Sequence, residues 1–152
     1  MDGGEATFAD VKATTGRILG VDFGDTRTGL AVSDISRFLA SGIGYVSPGG
    51  IEKTANKVAE IATEQKVGAI VVGLPKNMDG SEGFRAERCR EFAGMLRLRL
   101  NVPVVMMDER LTTVSASRYL NETNTRGAKR KGVIDTLSAQ IILQNALDRL
   151  KF

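Results

Sequence analysis

The sequence predicts an α/β fold in which a mixed sheet of five strands carries helices on its faces. Three short apolar segments come first, at residues 17–23, 28–33 and 41–47, with turn signals between them. Two further apolar segments, 67–74 and 102–107, each follow a segment with helical spacing of apolar residues. Strands joined by tight turns pair antiparallel, whereas strands joined through helices run parallel. We therefore expect three antiparallel strands followed by two parallel crossover strands.

The first three strands are predicted from composition and from the turns that bound them. Residues 17–23 (RILGVDF) are mostly apolar and end beside the turn signal Gly24-Asp25. Residues 28–33 (TGLAVS) resume the strand character, so the two segments are predicted to form an antiparallel hairpin. Residues 41–47 form a weaker third strand, which stops at Pro48-Gly49-Gly50.

The remaining elements alternate between helix and buried strand. Ile51, Ala55, Val58 and Ala62 recur at helical spacing, and VGAIVVGL at 67–74 has the β-branched content of a strand buried on both faces. Ser81 is expected to cap the next helix. Its predicted buried stripe comprises Phe84, Cys89, Phe92, Met95 and Leu96.

Two more helices are predicted after the fifth strand, VPVVMM at 102–107. Thr112 or Thr113 is expected to cap a short helix that ends near Leu120. After a polar loop, the last helix is predicted over 133–150. Its inward positions are Ile134, Leu137, Ile141 and Ile142.

Length and composition predict one domain over residues 16–152, preceded by a disordered extension over residues 1–15. The extension has neither the apolar core of a signal peptide nor an Arg-rich amphipathic pattern, so we expect a cytoplasmic protein. The apolar segments are far shorter than the roughly 20 residues of a membrane span, so no membrane partner is expected.

The absence of histidine narrows the possible chemistry. The 152 residues contain no His and one cysteine, which excludes a Ser-His-Asp triad, a His-ligated zinc site and an internal disulfide. Cys89 lies beside Phe92 and Leu96 in an amphipathic segment and is predicted to be a buried core thiol. Catalysis would have to depend on carboxylates, hydroxyls, Lys and Arg, with any metal a hard ion held by oxygen.

Carboxylates follow two of the predicted strands. Asp22 closes the first strand, Asp108 and Glu109 follow the fifth, and Asp135 lies in the first turn of the predicted last helix. Strands one and five end on the same side of the sheet, where α/β sites generally form. Mg²⁺ or Mn²⁺ suits such a cluster because it relieves the repulsion between like charges and takes oxygen ligands. Two such ions could activate water and stabilise the leaving oxygen.

Each carboxylate also has an ordinary structural explanation. Asp22 can be a turn-forming aspartate before Gly24. Asp108 and Glu109 can favour the amino terminus of the helix that begins near Thr112, and Asp135 can do so at the start of the last helix. The residues taken singly leave these alternatives open.

Four sequence blocks together resemble the YqgF/RuvX family. They are RILGVDFGDTRTGLAVSD, VVGLPKNMDGSEG, VPVVMMDERLTT and KGVIDTLSAQIIL, and they occur in the family's order over residues 17–145. The resemblance implies a ribonuclease-H-like fold related to the RuvC-type Holliday junction resolvases. It also implies a metal-dependent nuclease that matures the 5′ end of pre-16S ribosomal RNA. By motif position, Asp22, Glu109 and Asp135 would be the catalytic and metal-binding triad.

The sequence departs from the family pattern in two places. The extension before the first strand is longer than is common in the family. After DERLTT the family often has Val-Glu, where this chain has Val114-Ser115, so a capping box from Thr112 is lost. Neither difference affects the three acidic positions.

Basic residues near the predicted site could hold nucleic acid. Arg126, Lys129, Arg130 and Lys131 precede Asp135 in a predicted loop, and they could contact phosphates or be merely solvated. Arg27, Lys76 and Arg110 follow strand ends and are further candidates. Aromatic residues make up only 5% of the chain, so no stacking platform is evident from the sequence.

Three alternatives remain from the sequence. The substrate can be a four-way DNA junction rather than precursor rRNA, which would require a homodimer rather than a monomer. The domain can be a nucleic-acid-binding module without catalysis, although such modules usually lack some acidic positions. Finally, Asp-Phe-Gly-Asp-Thr at 22–26 is similar to the phosphate-binding turn of actin-like ATPases, but those proteins need two such domains.

Overall fold

The computed structural model of the chain describes residues 6–109 and 127–151. The strands are β1 (Ile18–Asp22), β2 (Thr28–Ser33), β3 (Ala40–Val46), β4 (Ala69–Leu74) and β5 (Val104–Asp108). The helices are α1 (Phe8–Lys12), α2 (Ile51–Glu64), α3 (Phe84–Arg99) and α4 (Gly127–Leu150). The predicted helix at 112–120 lies outside the described residues.

The sheet is mixed, as predicted, and its strand order is β3-β2-β1-β4-β5. β1 pairs antiparallel with β2 and β2 with β3, whereas β4 pairs parallel with both β1 and β5. Val21 is opposite Val72, and Leu74 is opposite Asp108. The carboxyl ends of β1, β4 and β5 therefore lie side by side at one edge of the sheet.

Alternate residues of the strands supply two separate cores, one on each face of the sheet. Leu19 and Val21 point to the face covered by α2 and α3, where Phe92 and Leu96 pack. Ile18 and Val71 point to the opposite face, where Leu143 of α4 and Val11 of α1 pack. β1 and β4 are thus buried on both sides, which explains their almost continuous apolar composition.

Helix α4 lies unusually close to the sheet because three strand positions opposite it are glycines. A Cβ atom at Gly20 would lie 2.6 Å from Cβ of Leu143, and one at Gly42 would lie 2.6 Å from Cγ2 of Thr136. At Gly29 a Cβ atom would collide with the backbone carbonyl oxygen of Asp135. Glycine inside a strand often marks such a close approach of backbone.

The amino-terminal segment differs from the predicted disordered extension. Thr7 and Asp10 form a capping box at the start of α1, and Val11 is fully buried in the α4-side core. Arg37 fixes the segment further by donating hydrogen bonds to the carbonyl oxygens of Val11 and Gly16, at 3.1 and 2.7 Å. A single turn of helix has little apolar periodicity, and it is ordered here by tertiary contacts that local sequence does not reveal.

Helix α3 begins later than predicted. The hydroxyl of Ser81 accepts a hydrogen bond from Asn77 Nδ2 and donates one to Asp79 Oδ1, so it does not cap the helix. The helix starts instead after Gly83, which makes no side-chain cap. Its buried positions are Ala86, Cys89, Phe92, Ala93 and Leu96. The prediction that Phe84 is buried was therefore wrong, because Phe84 is 70% exposed in the first turn.

Helix α4 begins earlier than predicted, at Gly127 rather than near Val133. Residues 129–131, predicted as part of a loop, therefore lie in its first turns. Ile142 is buried as predicted, whereas Ile134, Leu137 and Ile141 are only half-buried. The fully buried face instead includes Ala139, Leu143, Ala146 and Leu147. No helix of the described residues has the length and hydropathy needed to cross a membrane.

Candidate active site

Asp22 lies at the carboxyl end of β1, at the centre of the sheet edge. It is half-buried, and its backbone is opposite Gly29 of β2. The next residue, Phe23, is buried and stacks on Phe92 of α3, with ring centroids 4.6 Å apart. This contact fixes the end of β1 against α3, so Asp22 is presented from a rigid strand end rather than from a mobile turn.

Glu109 follows β5 directly and is 7% exposed. Its backbone N–H donates a hydrogen bond to the carbonyl oxygen of Leu74 at 3.2 Å, which continues the pairing of β4 with β5. The Glu109 side chain lies over Gly73, where a Cβ atom would collide with Oε2. Gly73 thus leaves the space through which this carboxylate reaches across β4 towards β1.

Asp135 approaches the same edge from α4. Its backbone carbonyl lies against Gly29, the residue that pairs with Asp22, so helix packing sets its position beside β1. Its carboxylate accepts a hydrogen bond from Arg27 Nε at 2.7 Å, in an ion pair whose side chains are 20% and 30% exposed. Asp135 lies about two turns inside α4, so the prediction that it occupies the first turn was wrong.

The carboxyl group of Asp22 lies within electrostatic reach of those of Glu109 and Asp135. The pKa of Asp22 is raised well above its ordinary value, first by burial and then by the charges of Glu109 and Asp135. Burial raises the pKa of Glu109 to about 7, with a further contribution from Asp108. The pKa of Asp135 is raised by burial, although its bond with Arg27 opposes the change. The cluster therefore favours protons or cations at neutral pH.

Arg85, in the first turn of α3, is a cation of the site that the sequence patterns did not indicate. Its charge acts on both Asp22 and Glu109, lowering the pKa of each against the effect of burial. Arg85 follows the MDGS block at 78–81, and no sequence motif or residue spacing there indicates a role at the site. Only knowledge that α3 starts at Phe84, beside the end of β1, could have identified it.

Cys89 lies in α3 beneath the acidic residues and is 3% exposed. Burial, followed by the charges of Glu109 and Asp22, raises the pKa of its thiol to about 12. A thiol that stays protonated is a poor nucleophile. The prediction that Cys89 is a core residue is confirmed.

The predicted nucleic-acid-binding residues lie in different situations. Arg27 is engaged with Asp135, whereas Lys76 lines an open groove beside α3. Lys129, Arg130 and Lys131 lie in the helical backbone at the start of α4, and their side chains are outside the described part of the chain. Arg110 and Arg126 also lie outside the described residues.

The donor set available for a metal ion consists of carboxylate oxygens. Within residues 6–109 and 127–151, no three His, Cys, Asp or Glu side chains are arranged to hold a metal ion as they stand. The ion pair with Arg27 occupies one oxygen of the third carboxylate, Asp135. Asp22 and Glu109 are left as the pair whose mutual repulsion a cation would relieve.

The chain is similar to known proteins over most of its length. A family described as "RuvX: Holliday junction resolvase" matches residues 16–149. A protein of Pelotomaculum thermopropionicum named "Putative pre-16S rRNA nuclease" is 45% identical over 133 residues, covering 87% of this chain and 86% of the relative. A protein of the same name from Paracoccus denitrificans is 42% identical over 146 residues, covering 96% of this chain and 92% of the relative. That match includes part of the amino-terminal segment.

Solved structures with the same fold have much lower sequence identity. RuvC of Thermus thermophilus in complex with a Holliday junction superposes with a TM-score of 0.57 at 14% identity, covering 90% of this chain and 96% of that chain. The fowlpox virus resolvase, also solved with junction DNA, gives a TM-score of 0.52 at 12% identity, covering 86% and 98%. These similarities confirm the predicted ribonuclease-H-like fold.

Proposed function

The chain belongs to the RuvX family, and we propose that it is a metal-dependent nuclease whose substrate is the 5′ end of precursor 16S rRNA. Nuclease activity follows from the family, whose matched relatives carry that name. The observation that carries the proposal is the convergence of Asp22, Glu109 and Asp135 at one sheet edge. Three segments distant in sequence supply these carboxylates, and the charges of Glu109 and Asp135 raise the pKa of Asp22.

A divalent cation fits this cluster on chemical grounds. Asp22 is half-buried and Glu109 is buried, the charge of Glu109 acts on Asp22, and the chain contains no histidine that could act in their stead. We assign Asp22 and Glu109 to hold the cation, with Asp135 completing the set when Arg27 releases it. Mg²⁺ or Mn²⁺ bound there would supply an activated water and neutralise charge on the phosphate.

The residues of the chain would contribute position and charge. Asp22 and Glu109 stand on strand ends, so they are fixed before substrate arrives. Arg27, released from Asp135, is then available to a substrate phosphate, which reconciles its ion pair with its predicted role in nucleic-acid binding. Arg85, whose charge acts on Asp22 and Glu109, can bind a neighbouring phosphate.

Cleavage of a DNA junction is the second candidate. The family description favours it, as does the likeness of the fold to resolvases solved with junction DNA. Resolving a two-fold symmetric junction requires a homodimer, whereas trimming one RNA end requires only a monomer. A role on precursor rRNA also implies a cytoplasmic location.

Substrate choice can be tested directly. Purified protein is incubated with end-labelled RNA carrying the 5′-extended 16S sequence, and separately with a labelled four-way DNA junction, in Mg²⁺ or in Mn²⁺. We expect the RNA to be cut at a defined position upstream of the mature end, and the junction to be cut much more slowly. Symmetrical junction cleavage with intact RNA would instead support the resolvase candidate.

A further inference from the structure

A groove lies beside the acidic cluster, between the loop after β4 and the first turn of α3. It encloses about 290 Å³, and Lys76, Asn77, Phe84 and Arg85 are among its lining residues. This volume is at the lower end of the roughly 300–1,000 Å³ range of small-ligand sites. The groove is therefore suited to a short piece of a larger ligand.

The walls of the groove are held by hydrogen bonds, so its shape is preformed. In the loop, the Asn77 N–H donates to the carbonyl oxygen of Ser81 at 2.8 Å, and Asn77 Nδ2 donates to the Ser81 hydroxyl at 2.9 Å. Arg90 then joins the loop to α3 by two hydrogen bonds to the carboxylate of Glu82, at 2.6 and 2.8 Å. The MDGS block thus acts as a compact, braced turn.

The groove is connected to the acidic cluster through Arg85. Arg85 lines the groove and also a small cleft on its other side, together with Phe23 and Cys89. Leu74, which precedes the loop, accepts the backbone hydrogen bond from Glu109. A strand of nucleic acid cut at the carboxylates would therefore pass Arg85 and enter the groove.

The side chains in the groove combine positive charge with an exposed aromatic ring. Lys76 and Arg85 are both cationic, and Phe84, which lines the same groove, is 70% exposed. Single exposed apolar residues are common on protein surfaces. A groove that contains an exposed aromatic ring and two cations, beside carboxylates that would cut a phosphodiester, has the chemistry for stacking an unpaired base while the cations contact its phosphates.

We propose that this groove binds the single-stranded nucleotide next to the cut bond, with its base on Phe84 and its phosphates between Lys76 and Arg85. The inference rests on the proposed nuclease function and narrows it: the substrate must present an unpaired nucleotide beside the cleavage position. A fully paired duplex would leave the Phe84 ring without a stacking partner.

The test uses binding rather than cleavage. The probe is an RNA duplex with a short single-stranded 5′ extension, which carries the fluorescent base 2-aminopurine at one of its first unpaired positions. It is titrated with full-length protein in chelator, where no cutting is expected. Stacking on Phe84 would quench the fluorescence at one position. Phe84→Ala should abolish this quenching and weaken binding about five- to 150-fold, as is typical for loss of one stacked base.

Several variants separate stacking on Phe84 from the effects of losing apolar surface or positive charge elsewhere on α3. Phe84→Tyr keeps an aromatic ring and should restore quenching. Leu98→Ala removes another exposed apolar side chain of α3, 86% exposed, and should change nothing. Arg85→Gln should lower the log–log salt slope of binding by about 0.7–0.9, whereas Arg99→Ala, at the far end of α3, should not. A blunt duplex should bind wild type and Phe84→Ala equally.

The outcomes distinguish the groove from the nuclease function. Equal affinity and quenching for wild type and Phe84→Ala, or no binding of the extended RNA by wild type, would overturn the groove proposal. If wild type and Phe84→Ala bind equally but the same RNA is cleaved in Mg²⁺, the nuclease function is still supported. Phe84-dependent quenching without cleavage in any metal would instead support the groove and refute the nuclease function.

Discussion

Asp22 is the residue on which the charges of the other two carboxylates act, so its substitution reports on the whole cluster. Asp22→Asn keeps the shape and removes the charge. Because the pKa of Asp22 is raised in the folded protein, its ionised form is unfavourable at pH 8. We expect the metal-free variant to unfold at higher urea than wild type while cleavage falls by orders of magnitude.

Asp25→Asn is the matched control for this change. Asp25 lies three residues later, in the turn that follows β1, but it is 60% exposed and pairs with Arg88 at 2.9 Å. Loss of such a surface pair should change stability little. An Asp22→Asn protein that unfolds at lower urea than wild type would contradict the repulsion between the carboxylates, and one that cleaves normally would mean that Asp22 is only a turn residue.

Glu109 makes a pH-dependent contribution to stability. Its folded pKa is about 7, against an ordinary value of 4.5, so between these values the folded state binds more protons than the unfolded state. Stability should therefore fall as pH rises through this window. Relative to Glu109→Gln, metal-free wild type should lose on the order of 2–3 kcal/mol between pH 4.5 and pH 8. Parallel curves of unfolding free energy against pH for the two proteins would contradict this.

Individual residues were unevenly predictable from the sequence. Asp22 and Glu109 follow apolar strands, and this pattern located them correctly at the sheet edge. The ion pair between Arg27 and Asp135 joins residues 108 positions apart, which no local pattern reveals. Phe84 was predicted to be buried in a helix that starts at Ser81. The Ser81 hydroxyl instead bonds to Asn77 and Asp79, so the helix starts at Phe84, whose side chain is exposed in the first turn.

At the scale of elements, two glycines should respond differently to the same substitution. In Gly29→Ala the new methyl group would meet the backbone of α4, which can move only with the whole helix. We expect a loss of about 1–3 kcal/mol or more in unfolding free energy, together with loss of activity. In Gly73→Ala the methyl group would meet the side-chain ends of Glu109 and Ile142, which can rotate away.

Gly73→Ala should therefore remain folded, with a smaller loss of stability, but lose cleavage because the Glu109 carboxylate is displaced. Gly94→Ala on α3 is the control, since a Cβ atom there meets nothing within 4 Å. Urea denaturation and cleavage assays on the three variants measure both effects. Full activity in Gly73→Ala would show that the position of Glu109 is not needed for cleavage.

The basic residues at the start of α4 allow binding to be separated from chemistry. Replacing Lys129, Arg130 and Lys131 with Ala should weaken binding of every sequence and reduce the log–log salt slope by about two. Lys53 and Lys57 are exposed on α2, and replacing them should leave the slope unchanged. Asp135→Asn should lose cleavage but keep binding. An unchanged slope in the triple variant would mean that the nucleic-acid phosphates contact other cations, with Arg27, Lys76 and Arg85 the remaining candidates.

Element boundaries were predictable where apolar periodicity is strong. β2 occupies the predicted residues, and β1, β3 and α2 differ only at their ends. The first turns of α4 were missed because they are polar, and α1 was missed because it is a single turn held by tertiary hydrogen bonds from Arg37. Local propensity has little influence on such short segments once packing is available.

At the scale of the whole molecule, topology brings the site together. The strand order places β1 between β2 and β4, so the carboxyl ends of β1 and β5 lie two strands apart at one edge. This arrangement follows from two antiparallel turns and two helical crossovers, all of which the sequence predicts. The closeness of α4 was not predictable in the same way, because it depends on which strand glycines face the helix.

If Asp22, Glu109 and Asp135 bind a divalent ion that cuts RNA, cleavage must depend both on the ion and on Asp22. Wild type and Asp22→Asn are incubated with 5′-extended 16S precursor RNA in Mg²⁺, in Mn²⁺ and in excess chelator. We expect wild type to cleave in either metal and to stop in chelator, and Asp22→Asn to cleave in neither metal. Undiminished cleavage by wild type in chelator, or by Asp22→Asn in metal, would mean that these carboxylates do not cut RNA through a bound ion.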